Sequence, residues 1–372
     1  FYTFCRVHGH EPYGWWSYGM HGHENLSTFT LNATRPELSA DFLRAMIGVQ
    51  LEDGSFPYGV NWRGPFRSHL STCPFIAWES WDSYLWSGDR EFLREAYDAC
   101  RRNHEYWLTR RRSESLLCYW KDWVENVRDD RDLPTWTSTG CAESQEALDL
   151  NCYLVVEDRS LAEMARELGL AEEAVELDAC ADRRAREIDE LLWHEEDGCY
   201  YGRDLVNGVW ARVKDISTFF PWWSGVGAKD RAESLLKLLD DPRRFDVGYP
   251  VPTLAADEPT FGPRKHWHGS NWVQMTWLVV LGLKRQGWTA RAAALAYRNI
   301  EMVFGVLERE SHFREYYDSV DGSGADLVDY IWSCIPAAMV VRVLFGIDPT
   351  REGLIVSPSL PEGWESASIE GL

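Results

Sequence analysis

Basic residues are scarce in this chain. Lys and Arg together number 38 against 59 Asp and Glu among 372 residues, which gives a formal net charge of -21. Nucleic-acid phosphates and the anionic surface of a membrane repel a protein of that charge. We therefore expect neither nucleic acid nor a membrane as a partner.

Disulfide and membrane signals are missing as well. The nine Cys are an odd number and none lies in a CxxC spacing, which argues against a disulfide framework. A reducing compartment, the cytoplasm, is the expected location. The apolar run from Trp277 to Leu283 is too short to span a membrane. The first residue is Phe1 rather than Met, which leaves open whether a signal sequence precedes it.

What the chain has in excess is aromatic residues: 20 Trp, 16 Tyr and 15 Phe. Indole rings stack on the flat apolar faces of sugars while nearby polar groups bind the hydroxyls, so this excess favours a carbohydrate site. Large helical barrels that simply bury many aromatic residues are the alternative. Several Trp lie in segments rich in Gly, Pro and His rather than in apolar stripes, namely Trp15, Trp16, Trp62, Trp222, Trp223 and Trp267. Both interpretations stay open at this point.

Apolar residues at helical spacing dominate the chain. Pro36 near a first turn, Asp89 as an N-cap and Gly169 as a C-cap mark three helix ends. Eleven helical segments are predicted, at 25–32, 36–50, 73–86, 90–109, 143–168, 171–193, 215–223, 229–239, 269–287, 289–307 and 325–345. Paired helices without a short repeated motif predict an all-α fold that closes on itself, an (α/α)6 toroid.

A toroid of this kind needs twelve helices. Either one helix escapes detection or one lies before Phe1. We predict a catalytic barrel over residues 1–347 and a separate β-rich segment over residues 348–372.

Two β elements interrupt the helical pattern. Short strands are expected at Cys199–Tyr201 and Val209–Ala211, on either side of a turn at Asn207–Gly208. The tail from Asp348 is rich in Pro, Gly and Ser and contains a strand-like run at Leu354–Pro358. We expect this tail to open a β region that continues beyond the sequence.

Two carboxylate clusters lie in aromatic surroundings. Glu315 is flanked by Phe and Tyr, and Asp129 follows a Trp-rich stretch. Both lie in loop-like segments after helices, where function concentrates. A glycosidase needs one acid to protonate the leaving oxygen and one base to activate water or attack the sugar. A solvated surface is the alternative for any one acidic residue, and Asp122, Asp130 and Asp132 rival Asp129 as the acid.

Several short motifs, spread along most of the chain, resemble motifs of one family of proteins. They are Gln50–Pro57, Cys73–Trp78, Ser87–Asp89, Asp149–Asn151, Trp267–Trp272 and Phe313–Tyr317. Together they resemble the inverting (α/α)6 glycosidases that include trehalases and glycoside hydrolase family 63, with its processing α-glucosidases and mannosylglycerate hydrolases. The resemblance implies a six-hairpin helical toroid and glycoside hydrolysis with inversion.

The resemblance also implies the catalytic pair. In this family the general acid is the Asp of an E-S-G-x-D-x-S loop, and Glu125–Asp129 matches that loop at both carboxylates but not at the Ser or the Gly. By that match Asp129 is the general acid, and Glu315 is the general base. His268 stands where the family has Arg, and His21–Asn25 stands where it has W-D-S. These differences bear on the substrate more than on the fold.

We predict a glycosidase that removes a terminal, α-linked sugar from a di- or oligosaccharide or another glycoside. The candidate substrate-binding residues are His23, Glu24, Trp62, Arg63, Arg131, Trp267, His268, Asn271, Tyr317 and Trp332. No cofactor is expected, and no metal, because the His spacing matches no zinc motif. A sugar epimerase or a lyase that uses His and Tyr, and a non-catalytic carbohydrate-binding protein, are the alternatives. The oligomeric state stays open.

Overall fold

The computed structural model describes residues 20–61, 63–128, 139–249 and 251–370. Helices dominate these ranges. They are α1 Thr28–Asn32, α2 Pro36–Ile47, α3 Ile76–Ser87, α4 Arg90–Arg110, α5 Leu148–Leu168, α6 Ala171–Leu191, α7 Phe220–Ser224, α8 Lys229–Leu239, α9 Val273–Arg285, α10 Thr289–Glu310 and α11 Ile335–Met339. Of the helices in these ranges, none has both the length and the apolar character that crossing a membrane requires.

The strands are short and pair in small antiparallel sheets. They are β1 Met20–His21, β2 Pro57–Asn61, β3 Gly64–Ser71, β4 Gln145–Glu146, β5 Trp193–His194, β6 Cys199–Tyr200, β7 Arg203–Asp204, β8 Arg314–Tyr317, β9 Gly324–Val328, β10 Ile347–Thr350 and β11 Gly353–Val356. One sheet has the order β1-β2-β3, and the others are the pairs β4-β7, β5-β6, β8-β9 and β10-β11.

The helix ends follow from local sequence chemistry. Pro36 is the first residue of α2, where its missing N–H is not needed. The Asp89 side chain accepts the backbone N–H of Phe92 at 3.0 Å and so caps α4. Gly169 ends α5 with a φ of 81°, a conformation that glycine adopts without a steric penalty. The three predicted ends are confirmed.

The helix predicted over residues 325–345 is wrong in its first half. Gly324–Val328 instead forms β9, which pairs antiparallel with β8. The backbone is left-handed at Asp326 and Asp329, with φ of 56° and 55°, so a right-handed helix cannot continue there. Helix α11 begins only at Ile335. Apolar spacing along one segment does not reveal that a strand partner lies upstream.

The strand predicted at Cys199–Tyr201 is confirmed as β6, whereas residues 209–211 form only an isolated bridge. Strand β6 pairs with β5 rather than with residues 209–211. The expected turn does form, since Gly208 N donates to the Asp204 carbonyl at 2.8 Å, and Arg203 bridges to Trp210. The turn signal was correct, but the strand partner is a non-local property.

The described chain forms two compact units. The first takes the described residues up to 128, those from 139 to 192 and Gly202–Ala211. The second takes Trp193–Tyr201 and the described residues from Arg212 onward. The core of the first unit packs the apolar faces of α2 to α6 together, and Leu43 and Phe92 are fully buried in it.

In the second unit α7 lies against α9, and glycine allows the close approach. A Cβ atom on Gly282 would lie 2.8 Å from the Cβ of Trp222. At the end of this unit β10 and β11 pair from Ile347↔Val356 to Thr350↔Gly353. This hairpin confirms the expected short β-type tail, whereas the division into segments 1–347 and 348–372 stays a prediction.

Candidate active site

Three of the predicted site residues, Trp62, Asp129 and Arg131, lie outside the described residues. Inversion requires the two catalytic carboxyl groups to lie about 6.5–9.5 Å apart, so that water fits between them. For Asp129 and Glu315 this spacing stays a prediction. The segment that leads into Asp129 is described and belongs to the first unit, and Glu315 belongs to the second.

The segment before Asp129 is a 3-10 turn with an unusual end. Trp123–Asn126 forms the turn, and Asp122 caps it by accepting a backbone N–H at 2.9 Å. Val127 then adopts a φ of 62°, which is sterically unfavourable for a β-branched side chain. The E-S-G-x-D pattern has Gly at this position, and glycine adopts a positive φ readily. The positive φ at this position therefore explains why the pattern has Gly there, although this chain has Val.

Glu125 is held in a buried ion pair with Arg111. Its carboxylate accepts both terminal nitrogens of the Arg111 guanidinium, one of them at 3.2 Å. It also accepts the backbone N–H groups of Ser71 at 2.7 Å and Lys121 at 2.6 Å. Arg111 donates in addition to the Tyr106 hydroxyl at 2.7 Å. With four donors on its two oxygens, Glu125 anchors the loop and is not free to transfer a proton.

A second buried ion pair holds the residue next to Asp129. Arg128 Nη2 donates to Asp149 Oδ2, and Trp120 Nε1 donates to Asp149 Oδ1 at 3.0 Å. The Arg128 backbone N–H also binds Asn126 Oδ1 at 2.9 Å. Asn151, one turn into α5, binds backbone groups of the loop before it. Asp149 and Asn151 therefore support the loop from the first turn of α5.

The buried thiol of Cys73 lies close to the charged groups of both ion pairs. It donates to the Glu125 carbonyl at 3.4 Å. Burial raises the pKa of the Cys73 thiol well above its usual range, and the carboxylates of Asp149, Glu125 and Glu24 raise it further, while Arg128 opposes them. Glu24 therefore belongs to the same buried cluster of charges as Glu125 and Asp149.

The remaining candidates of the first unit lie in two settings. His23 and Glu24 are buried in the 3-10 turn Gly22–Ser27, with the His23 ring 6.0 Å from that of Phe75. Arg63 is exposed in the turn between β2 and β3. The structure thus brings Glu24 into the charged cluster and leaves Arg63 at the tip of a hairpin.

In the second unit Glu315 lies on β8 at an irregularity of the sheet. The β8-β9 register shifts between Arg314 and Tyr316, the two residues that flank Glu315. Such bulges redirect side chains and are common beside active sites. Glu315 is 8% exposed, and its carbonyl accepts Trp332 Nε1 at 2.6 Å. Glu315 is therefore fixed on a bulged strand rather than on the expected loop.

Tyr317 fixes the same strand from within. Its hydroxyl donates to Ser333 Oγ at 3.2 Å and accepts the Arg314 backbone N–H at 3.2 Å. Burial raises the pKa of Tyr317 to about 12. Its backbone exchanges two hydrogen bonds with Asn271, at 2.8 and 3.0 Å. Tyr317 and Asn271 thus lie beside Glu315, and their contact with a substrate stays a prediction.

An aromatic cluster formed by Trp267, Trp272, Tyr316, Tyr330 and Trp332 packs against this strand. Trp267 and Trp272 stack with centroids 3.7 Å apart, and Trp272 stacks on Tyr316 at 5.0 Å. Trp332 lies 5.4 Å from Trp272 and stacks on Tyr330 at 4.0 Å. Trp267 and Trp332 are 1% and 2% exposed. The two candidate Trp therefore join one cluster next to Glu315, and the role of Trp267 as a sugar platform stays a prediction.

Histidine positions give no metal centre at the candidate site, as far as the described ranges extend. His268 is fully buried in the short turn that precedes Gly269. Within the described ranges, ligand atoms of His104, Asp158 and Cys180 lie within 4.8 Å of one another. Arg184 Nε already lies 3.3 Å from Asp158 Oδ2, and its positive charge opposes a second cation there. We assign no metal to this group.

Several residues that support the candidates are not among the predicted site residues. Trp272 and Tyr316 lie in the motifs of Trp267 and Glu315, so their position in the sequence is a usable signal. Arg111 gave no such signal, because it is one Arg in a run of three. Its pairing with the buried Glu125 emerges only when the chain is folded.

Comparison with known proteins gives one family. The pattern of the family described as "Mannosylglycerate hydrolase MGH1-like glycoside hydrolase domain" matches residues 22–333. A mannosylglycerate hydrolase of Rubrobacter radiotolerans is 32% identical over 197 residues, which cover 52% of this chain and 42% of that protein. The chain thus spans less than half the length of the curated relatives it matches first.

Solved structures extend the likeness to the fold. A GH63 mannosylglycerate hydrolase from Thermus thermophilus, in complex with glucose, matches with a TM-score of 0.75 at 21% identity and covers 86% of this chain and 92% of that chain. The neutral trehalase of Saccharomyces cerevisiae matches with a TM-score of 0.68 at 14% identity over 87% of this chain and 70% of that chain. The predicted fold class, that of the GH63 and trehalase (α/α)6 barrels, is confirmed.

Proposed function

The chain belongs to the mannosylglycerate hydrolase MGH1-like glycoside hydrolase family, and from this premise we propose that it hydrolyses a small α-linked glycoside with inversion. Asp129 protonates the leaving oxygen, and Glu315 deprotonates the attacking water. The observation that carries the proposal is the bulge on β8 that presents Glu315 beside the aromatic cluster.

The surroundings of Glu315 suit a general base. A base must be ionised and within hydrogen-bond reach of the water that it activates. Its neighbour Tyr316 stays a neutral phenol, because burial raises the pKa of Tyr316 and the carboxylates of Asp326 and Glu315 raise it further. The phenol of Tyr316, which follows Glu315 on the bulged strand, therefore adds no charge beside the proposed base.

The surroundings of the loop before Asp129 suit a general acid. The chain continues to Asp129 directly from Arg128, whose charge is paired with Asp149. Arg111 and Arg128 balance the carboxylates of Glu125 and Asp149, so the buried carboxylate of Glu24 is the additional negative group in this cluster. Negative charge close to a carboxyl group disfavours its ionisation, which keeps a general acid protonated.

The substrate class that we propose is a hexose linked to a small hydroxy acid, as the name of the Rubrobacter relative indicates for that protein. The acid's carboxylate requires a cation, and bidentate binding by Arg is the preferred solution. Arg63, exposed on its hairpin, and Arg131 are the candidates. Arg128 is a weaker candidate because Asp149 already pairs with it.

Product analysis tests the activity. Mannosylglycerate, glucosylglycerate, trehalose and a set of aryl glycosides are incubated with the intact protein, and the first product is followed by proton NMR. We expect hydrolysis of one of the two glycerate glycosides and a β-anomer as the first-formed sugar. An unsaturated uronide would indicate a lyase, conserved mass with a changed sugar an epimerase, and binding without product a carbohydrate-binding protein.

Glu315→Gln tests the base. Removal of a positioned acid–base group lowers the rate by typically 10²–10⁴-fold, so kcat is expected to fall by about that factor while KM changes little. Glu308→Gln, an exposed charge change on α10, is the matched control and keeps its activity. Near-normal turnover of Glu315→Gln would remove the base from the proposal.

We also place the reaction in the cytoplasm. The nine Cys of the sequence are an odd number and none lies in a CxxC spacing, which suits a reducing compartment. Cell fractionation tests this, and recovery of the protein in a periplasmic or secreted fraction contradicts it.

A further inference from the structure

Val127 fills a space that exists because residue 22 has no side chain. A Cβ atom on Gly22 would lie 2.0 Å from Cγ2 of Val127 and 3.3 Å from its Cβ. Val127 itself has a φ of 62°, an outlier for a β-branched residue. Such conformations persist only where the surrounding structure fixes them, and they cluster at functional sites.

The segments of Gly22 and Val127 also share a support. Gly22 N donates to Thr72 Oγ1 at 2.8 Å. On either side of Thr72, Ser71 N donates to the Glu125 carboxylate at 2.7 Å, and the Cys73 thiol donates to the Glu125 carbonyl at 3.4 Å. The turn that begins at Gly22 and the turn that ends at Val127 therefore rest on the same three residues and on each other.

We propose that Val127 is a positioning residue, whose side chain packs on Gly22 and fixes the direction in which the chain continues to Asp129. The proposal rests on the proposed role of Asp129 as general acid. In this arrangement Val127 transfers no proton and touches no substrate. It ties the acid's loop to the turn that carries His23 and Glu24. A catalytic group displaced by about 1 Å can cost about 10²-fold in rate.

The test compares two substitutions at residue 127 in the intact protein. Val127→Gly accepts the left-handed backbone, so the fold is kept, but it removes the packing on Gly22. We expect kcat to fall by up to about a hundredfold with little change in KM or melting temperature. Val127→Thr keeps the branched shape and is expected to retain most of kcat.

The pH profile separates positioning from simple packing. In Val127→Gly the basic limb of kcat/KM, which reports the general acid, is expected to shift from its position in the unmodified protein, because a change in the position of a carboxyl group changes its surroundings and so its pKa. A residue that only fills space leaves both kcat and this limb unchanged, and that result overturns the proposal.

A reciprocal substitution tests the contact itself. Gly22→Ala places its methyl group against Val127, so kcat and stability are expected to fall, and Val127→Gly in the same chain is expected to restore part of both. Equal losses of kcat and stability from Gly22→Ala in the two backgrounds overturn the coupling between residues 22 and 127.

Asp129→Asn, with exposed Asp98→Asn as control, separates the positioning proposal from the proposed function. If Asp129→Asn stays active, Asp129 is not the general acid, and the positioning role of Val127 is overturned with it. If Asp129→Asn is inactive but Val127→Gly is fully active, only the positioning role is overturned.

Discussion

The loop before Asp129 and the strand of Glu315 carry the two proposed catalytic carboxylates, but different forces hold them. The loop depends on buried charges, with Arg111 paired to Glu125 and the following Arg128 paired to Asp149. The strand depends on uncharged contacts: its ladder with β9, the hydroxyl of Tyr317 and the aromatic cluster.

The two ways of holding a carboxylate fail differently. Loss of one partner from a buried ion pair leaves an uncompensated charge in the interior, which is strongly destabilising. Loss of part of a ring from a packed cluster lowers the free energy of unfolding by an amount that grows with the volume removed. We therefore expect the first unit to respond to changes of charge and pH, and the strand of Glu315 to respond to changes in its neighbouring rings.

Arg111→Met is expected to have the largest effect on stability. It leaves the Glu125 carboxylate buried without its cation, so the free energy of unfolding is expected to fall by about 3–5 kcal/mol in denaturant titrations. Arg243→Met, which removes an exposed guanidinium from its pair with the partly buried Asp241, is the control, and its midpoint is expected to stay that of the unmodified protein. Equal effects of the two substitutions would break the comparison, because burial would then not matter.

The pH dependence of the first unit is the next largest effect. Glu157 accepts the backbone N–H groups of Ala77 at 3.0 Å and Trp78 at 2.9 Å. Burial nevertheless raises the pKa of Glu157 from 4.5 to about 8, with the two hydrogen bonds opposing the shift. Burial, and then the charge of Glu157, also raise the pKa of Glu79 well above its usual range.

The sign of this effect follows from which state holds the proton. Between about pH 4.5 and 8 the folded protein keeps the Glu157 proton and the unfolded chain does not, so stability falls as pH rises. The fall from this group is about 1.4 kcal/mol per pH unit. Glu157→Gln is expected to flatten that part of the decline when unfolding is measured from pH 5 to pH 8. Parallel curves for Glu157→Gln and the partly exposed control Glu163→Gln would contradict it.

Trp332→Phe tests the uncharged side of the comparison. A phenyl ring replaces the larger indole, so part of the packed volume and the Nε1 hydrogen bond to the Glu315 carbonyl are both lost, and we expect a loss of about 1–3 kcal/mol and a lower kcat. Trp364→Phe, at an exposed ring, is the control and changes neither quantity. A loss as large as that of Arg111→Met would show that the strand is held as rigidly as the charged loop.

Arg63→Ala is expected to have the smallest effect on stability, because the side chain is exposed at a hairpin tip. If Arg63 binds the carboxylate of the substrate, KM rises while the melting temperature stays the same. An unchanged KM for an acidic glycoside would remove Arg63 from the site and leave Arg131 as the candidate.

Local chemistry determined most of the secondary structure. Apolar spacing placed a helix within each of the eleven predicted segments, as far as the described ranges extend. Asp89 and Gly169 fixed helix ends through contacts with their own neighbours in the chain. The motif around Glu315 likewise carried the candidate base, because the aromatic residues that flank it are adjacent in sequence. The family resemblance, shared across many short motifs, added the fold class.

Only the tertiary structure decided which distant residues meet. Residues 325–328 become a strand because β8 pairs with them, and the Glu315 bulge exists only in that pair. Arg111 meets Glu125, and Val127 meets Gly22, across stretches of chain that carry no spacing signal. A periodic pattern reports the environment of one segment, whereas a strand register, a buried ion pair and a side chain seated on a glycine each require two segments to fold together.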